Sequence, residues 1–203
     1  MDETVSRQRF EELFTEMFSE SDRGCILIGA SVLDDLLASL LQNYLKRNEH
    51  VCKHAMEPLF SGMGPLASFS SRIKLTYCLG LIKRWEFEDL ERIRKIRNKA
   101  AHEFTPKTFT NNEIIQITQQ LEGANHAVVA MKEFASKIEK SKGEATGNAR
   151  PSISKERLRF QMTVIHLAAG FDLLSKTPHD VLIYLPLNRK MNATLNIPSK
   201  VAN

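Results

Sequence analysis

Several residue types that would mark common chemistries are scarce in this chain. The three cysteines, Cys25, Cys52 and Cys78, are odd in number, far apart and without a paired CxxC spacing, which excludes a disulfide framework and a thiolate zinc site. Three reduced core thiols are expected instead. Six histidines are scattered without ligand spacing, no glycine-rich phosphate loop is present, and no serine sits in a nucleophile motif. No metal and no cofactor are expected. The excess of one sign of charge is small as well. With 28 basic and 24 acidic residues the net charge is +4 and the isoelectric point is near 9.0, which permits contact with a nucleic acid without demanding it.

A long apolar run free of charge is also missing. Gly24 to Leu45 comes nearest, but it carries Asp34 and Asp35 near its centre. Each carboxylate at mid-bilayer costs roughly 2.5 to 3.5 kcal/mol on an insertion scale, so a buried soluble helix is the expectation, with no membrane partner. The start, Met1-Asp2-Glu3, is acidic and leads into an amphipathic segment with no basic start or apolar signal core, which predicts a cytoplasmic protein.

The 203 residues, 42% hydrophobic and 26% charged, suffice for one compact core and a modest appendage. The patterning is helical almost throughout. Val5, Phe10, Leu13, Phe14, Met17 and Phe18 recur mostly at three- and four-residue steps, and Gly24 is expected to break this first helix. The next, Cys25 to Arg47, is apolar around much of its circumference, as in a helix central to a bundle or shared with a second subunit. Glu57 to Leu66, rich in glycine and proline, reads as a loop. Helices are expected from Ala67 to about Gly80, and from Trp85 to Ala101 with Phe87, Leu90, Ile93 and Ile96 inside. Another begins at Thr110-Asn111-Asn112-Glu113, and a further piece runs past Gly123 to near Lys140.

Residues 141–152 read as a flexible linker before a last helix, Ser154 to Ser175, whose stripe of Leu158, Met162, Ile165, Ala169 and Leu173 should pack inward. Val181 to Leu187 is a short apolar run of strand character in an otherwise irregular tail. The expected fold is all-α: a single helical bundle of about six or seven helices, residues 1–176, followed by an irregular C-terminal tail, residues 177–203.

Chemistry concentrates in Arg97-Asn98-Lys99-Ala100-Ala101-His102-Glu103. Asn98 and His102, four apart, share a helix face, whereas Arg97 and His102, five apart, differ by about 140 degrees on an ideal helix. To act on one phosphate, the helix must loosen before His102, or a symmetry-related copy must supply the second group. The imidazole then moves a proton to or from a ribose oxygen while the guanidinium stabilises charge on phosphorus, without a metal. The competing structural role is an Arg97 ion pair, with Asn98 and His102 tying off a helix end. Asp34 and Asp35 are adjacent and cannot point the same way. One of them either faces inward to orient Arg97 or His102, or is a surface carboxylate or half of a buried pair, and the structural role is favoured.

Lys83, Arg84, Arg92, Arg94, Lys95, Arg97 and Lys99 form a candidate phosphate ridge. They are interleaved with Glu86, Glu88, Asp89 and Glu91, the pattern of a solvated helix with intrahelical ion pairs. Asn112 to Phe134 has the outline of a helix-turn-helix, but its second piece offers Ala124, Ala127, Val128, Val129, Ala130 and Met131 instead of base-reading side chains. Direct reading of DNA is not expected.

The segment Met56-Glu57-Pro58-Leu59-Phe60-Ser61-Gly62-Met63-Gly64-Pro65-Leu66, continuing through Ser71 to Ile82, resembles the signature of the mannitol operon repressor family. The likeness extends upstream into Gly24 to Leu45, downstream through Glu86-Phe87-Glu88-Asp89 to Arg97 and His102, and to the last helix around Phe160-Gln161 and Leu173-Leu174-Ser175-Lys176. This resemblance implies an all-helical repressor of a sugar-alcohol operon that has no recognisable DNA-binding motif and works through a partner. Arg97-Asn98-Lys99-Ala100-Ala101-His102 is also similar to the RNxxxH motif of HEPN domains, helical bundles that often dimerise. That second resemblance implies a metal-independent ribonuclease of toxin or defence type, with Arg97 and His102 as the catalytic pair and Asn98 beside them.

The leading reading is a cytoplasmic, homodimeric transcriptional regulator of the mannitol-repressor type acting through a protein partner, more a regulator than an enzyme. The alternative is a HEPN-like endoribonuclease that uses Arg97, Asn98 and His102 across a dimer, with RNA as its partner.

Overall fold

The computed structural model describes the backbone of residues 14–46, 49–102, 108–138 and 153–182, and the side chains of 14–46, 55–101, 108–130, 153–178 and 181–182. All regular structure among the described residues is helical: α1 (residues 14–19), α2 (Asp22–Leu45), α3 (Glu49–Phe60), α4 (Phe69–Cys78), α5 (Arg84–His102), α6 (Asn112–Gln119), α7 (Gly123–Ile138), α8 (Lys155–Lys176) and α9 (His179–Leu182). The all-α expectation holds. Two helices exceed the expected number. One is α3, whose last four residues fall in the stretch read as a loop; the other is α9, which takes Val181 and Leu182 out of the expected strand. Residues 183–187, the 141–152 linker and the rest of the tail lie outside the described residues.

The break between α1 and α2 comes at Glu20–Ser21, ahead of Gly24. The Ser21 hydroxyl accepts a hydrogen bond from the Gly24 amide at 3.1 Å, and the Cys25 amide donates to the Ser21 carbonyl, so Gly24 already lies in the first turn of α2. By length and composition α2 is apolar enough to cross a membrane. Its apolar residues are instead core: Cys25, Ile26, Leu33, Leu37, Leu40 and Leu41 are fully buried.

Two compact units divide the chain, Met1–Leu33 with Glu88–Ala169 and Asp34–Phe87 with Gly170–Asn203. In the first, α1, α2 and α8 converge on Gly29, where an added Cβ would lie 3.0 Å from Phe160, 3.2 Å from Val164 and 3.4 Å from Met17. Arg157 of α8 donates to Asp22 at 3.0 Å and to the carbonyls of Met17, Phe18 and Glu20, so one guanidinium satisfies the end of α1. The buried face of α8 is Phe160, Val164, Leu167, Ala168 and Phe171, whereas Leu158 and Leu173 of the expected stripe are 44% and 70% exposed. Both stripes have helical spacing. The one with two phenylalanines buries more apolar area, which is the larger stabilisation.

In the second unit, Leu40, Leu41, Leu81 and Leu182 form a core packed by Tyr44, Phe60, Leu75, Leu79 and Leu174. Helix α4 is bounded at both ends by local chemistry. Ser68 caps its start by accepting from the Ser71 amide. At its end Gly80 takes φ +71, with Gly80 N donating to the Tyr77 carbonyl and Leu81 N to the Thr76 carbonyl, a closure that a left-handed residue makes possible. Asn43 donates from Nδ2 to the Ser175 and Thr177 carbonyls at 3.0 and 2.8 Å, tying off α8.

The junction of α5 with the start of α7 is built on a buried charge. Asp89 is fully buried; its carboxylate accepts from the Glu122 amide at 3.1 and 2.9 Å, the Gly123 amide at 2.7 Å and Arg92 at 2.9 Å. A carboxylate from another helix thus satisfies the free amides of the first turn of α7. Burial pushes the Asp89 carboxyl above the usual carboxylate range, opposed by the Gly123 and Glu122 amides and by Arg92. Gly123 is needed there: an added Cβ would lie 2.8 Å from Thr163 Cγ2 and 3.3 Å from Asp89 Oδ2.

Asp89→Asn places an amide donor among these backbone donors, and a loss of about 1 to 3 kcal/mol is expected by denaturant unfolding at pH 7. Because folded Asp89 holds its proton more tightly than the unfolded chain does, the stability from that proton is present at low pH and is lost as pH rises through the raised value. The deficit of Asp89→Asn relative to the native chain should therefore widen from pH 7 towards pH 4.

The cysteines divide. Cys25 is fully buried, and desolvation pushes its thiol up to about 11 despite the opposing Arg157 charge and Gln161 amide. Cys78 is exposed, contrary to the expectation of a core thiol, and the Cys52 side chain lies outside the described residues. In native protein, iodoacetamide followed by peptide mapping should modify Cys78 within the assay while leaving Cys25 unmodified until denaturant is added.

Candidate functional site

Arg97, Asn98 and His102 all lie on α5, which the sequence makes helical by burying Leu90, Ile93, Ile96 and Ala100 and starts by pairing the Lys83 amide with the Glu86 carboxylate. Arg97 is exposed, and its Nη1 donates to Asn98 Oδ1 at 3.2 Å. The helix continues through His102, so no loosening ahead of that residue brings Arg97 and His102 to one face. The His102 side chain lies outside the described residues. Just before it, the Ala101 carbonyl accepts from Arg23 at 3.2 Å, which satisfies one of the last carbonyls of α5.

The basic positions around Arg97 are largely engaged along the helix itself. Arg92 pairs with Asp89 at 2.9 Å and Glu88 at 3.4 Å, and Arg94 with Glu91 at 2.7 Å. Lys99 reaches Glu113 of α6 at 2.9 Å. Arg92 and Arg94 are thus paired at three- and four-residue steps and Lys99 across to α6, ion pairs each worth well under about 1 kcal/mol where exposed.

The start of α7 is engaged within the protein, and its exposed face presents Asn125, His126, Val128, Val129 and Ala130. Asn111 caps α6 by accepting from the Glu113 amide at 3.0 Å, as its sequence position predicts. The first turn of α7, which in a helix-turn-helix meets base edges, is held against Asp89 and Thr163, with Ala124 and Ala127 buried. The signal that locates Asp89 was present in the sequence: it lies four and seven residues before Ile93 and Ile96, on the buried stripe of α5.

In the other unit the segment 56–66 closes the end of α3. Its carbonyls find partners in turn: Glu57 accepts from the Ser61 hydroxyl at 2.8 Å, Leu59 from the Leu66 amide at 2.8 Å, and Phe60 from Arg72 at 3.4 Å. Arg72 also donates to the Leu66 carbonyl at 2.8 Å and to Asp34 at 2.6 Å, and lies 6.0 Å from the centre of the Phe60 ring. Asp34 is therefore the partner of Arg72, while Asp35 is exposed. Gly64 is required by space, since a Cβ there would meet the Pro58 carbonyl oxygen at 2.1 Å. Gly62 has φ +56, and between the two glycines Met63 is fully exposed. Sequence reasoning missed Arg72, whose role depends on a loop closure that periodicity does not encode. Among the described residues no cluster of three or more metal-ligating side chains occurs.

Comparison with known proteins agrees with this architecture. The chain is 32% identical over 110 residues to the mannitol operon repressors of Escherichia coli K12 and of Escherichia coli O6:H1, covering 53% of this chain and 56% of each of those proteins. It thus spans little more than half the length of these relatives. Two solved structures share the fold. Escherichia coli MtlR in its complex with HPr superposes with a TM-score of 0.57 at 22% identity, over 81% of this chain and 97% of that one. YggD from Shigella flexneri 2a strain 2457T, described as a possible transcriptional regulator, superposes with a TM-score of 0.56 at 12% identity, over 81% and 96%. The mannitol repressor family matches residues 11–162, three-quarters of the length, which takes in α1 to α7 and the first part of α8, and the chain belongs to that family.

Proposed function

We propose that this chain is a cytoplasmic, homodimeric transcriptional regulator that represses through protein contacts and does not read bases itself. The observation that carries the reading is the start of α7, whose first amides are taken by Asp89 and whose exposed face runs on into Val128, Val129 and Ala130 in place of base-reading side chains. Family membership supports the regulatory role, and the paired charges of α5 support the absence of a strong phosphate-binding field. Since the fold neighbour from Escherichia coli was solved with HPr, an HPr-type protein is the partner we assign to this chain.

Deleting the gene should raise transcription of a sugar-alcohol operon, and the purified chain alone should leave operator DNA unprotected at physiological salt. Specific protection of the operator by the chain alone would overturn the reading.

A second reading is favoured by Arg97, exposed in the penultimate turn of α5 with its guanidinium on Asn98. In a dimer, two copies of Arg97, Asn98 and His102 would face one cleft and cleave RNA at a ribose 2'-hydroxyl. Expression of the native chain and of His102→Ala, followed by RNA electrophoresis, separates the two readings: the regulator leaves RNA intact with both, and breakage abolished by the substitution establishes the nuclease.

A further inference from the structure

We propose that the outer face of α8 is the surface on which two copies of this chain pair, antiparallel about a twofold axis, an inference that rests on the homodimer reading above. Helical spacing marks Leu158, Met162, Ile165, Ala169 and Leu173 for burial, yet the chain's own core takes the opposite face of α8. Leu158, Ala169 and Leu173 are exposed, and Met162 and Ile165 are half-buried. Because α8 is one unbroken helix, Lys155–Lys176, these positions fall within an arc of about 80 degrees and along about 22 Å of its length. Between Lys155 and Lys176 that arc holds no charged residue, since Glu156, Arg157, Arg159 and Asp172 all lie outside it. Arg157 turns instead to Asp22, and Arg159 to the Leu121 carbonyl.

The order of the residues identifies the occupant. Read from either end, the stripe runs from lysine to leucine to an apolar centre, and its halves mirror each other about a point between Ile165 and His166. A twofold interface must be self-complementary, so that where one residue meets a second, the second meets the first. About that point Leu158 meets Leu173 of the second copy, the long Met162 meets the short Ala169, and Ile165 packs beside its own copy at the axis. A different partner places no such demand on the order. Lys155 comes opposite Lys176, but Lys176 is held by Asp172 at 2.6 Å, so two bare charges do not meet. His166 stays at the flank, its ring stacked on His126 of α7 with 6.0 Å between centroids.

Sedimentation equilibrium and non-reducing electrophoresis of the purified full chain test this. The expected result is a native dimer of 23.1 kDa subunits whose dissociation constant rises on the order of tenfold or more in Leu158→Glu and in Leu173→Glu. Val129→Glu, at an exposed apolar position of α7, leaves it unchanged, and all variants keep the native helical circular dichroism. In a chain carrying Cys52→Ser and Cys78→Ser, Leu158→Cys combined with Leu173→Cys forms a covalent dimer under oxidised glutathione. Neither cysteine does so alone, because two copies of one position lie about 22 Å apart along the helices, far beyond the Cα separation of about 7 Å that a disulfide spans. A native dimer that neither glutamate variant weakens, that Val129→Glu weakens equally, or that Leu158→Cys alone cross-links overturns the α8 pairing and leaves the homodimer standing. A monomeric native chain overturns both, the face then belonging to a different protein or to a segment of the same chain.

Discussion

A buried carboxylate organises the first unit. Asp89 leaves water at a cost that only full hydrogen bonding offsets, and it meets three donors: the amides of Glu122 and Gly123 and the guanidinium of Arg92. Fixing the first turn of α7 in this way sets where the helix begins, places Gly123 against Thr163, and turns Ala124 and Ala127 inward. The functional consequence is direct, because helix-start amides used to satisfy an internal charge are no longer free to meet phosphates.

The second unit solves a similar problem with the opposite charge. The final carbonyls of α3 need donors, and the glycine-containing turn brings the Ser61 hydroxyl, the Leu66 amide and the Arg72 guanidinium to them. Asp34 balances Arg72 in a half-buried pair. The composition that marks this segment as irregular is thus the composition needed to end a helix within a few residues. Flexibility need not follow from glycine and proline content when each backbone group has a partner.

Much of the helical framework was legible because three- and four-residue apolar spacing reports burial directly. The inner face of α5, the Asn111 cap and the start of α8 fall where spacing and cap chemistry place them. Three features escaped for identifiable reasons. Pro58 and the glycines masked the end of α3, since a helix closed by a tight turn resembles a loop in composition. In α8 two stripes share helical spacing, and only packing distinguishes Phe160, Val164 and Phe171 from Leu158 and Leu173. Asp34 and Asp35 were legible as pointing apart, but the partner of Asp34, 38 residues away in sequence, is invisible to any local pattern. For the candidate residues, spacing located Arg97 and Asn98 on one helix expected to end at Ala101, and the continuity of α5 through His102 is a backbone fact that sequence left open.

Arg157 lends the first unit a property of a different kind. Its guanidinium joins the end of α1 to α8 through three main-chain oxygens and one acid, Asp22. Since most of the acceptors in this fastening are neutral dipoles, ionic strength can loosen only the Asp22 strand of it.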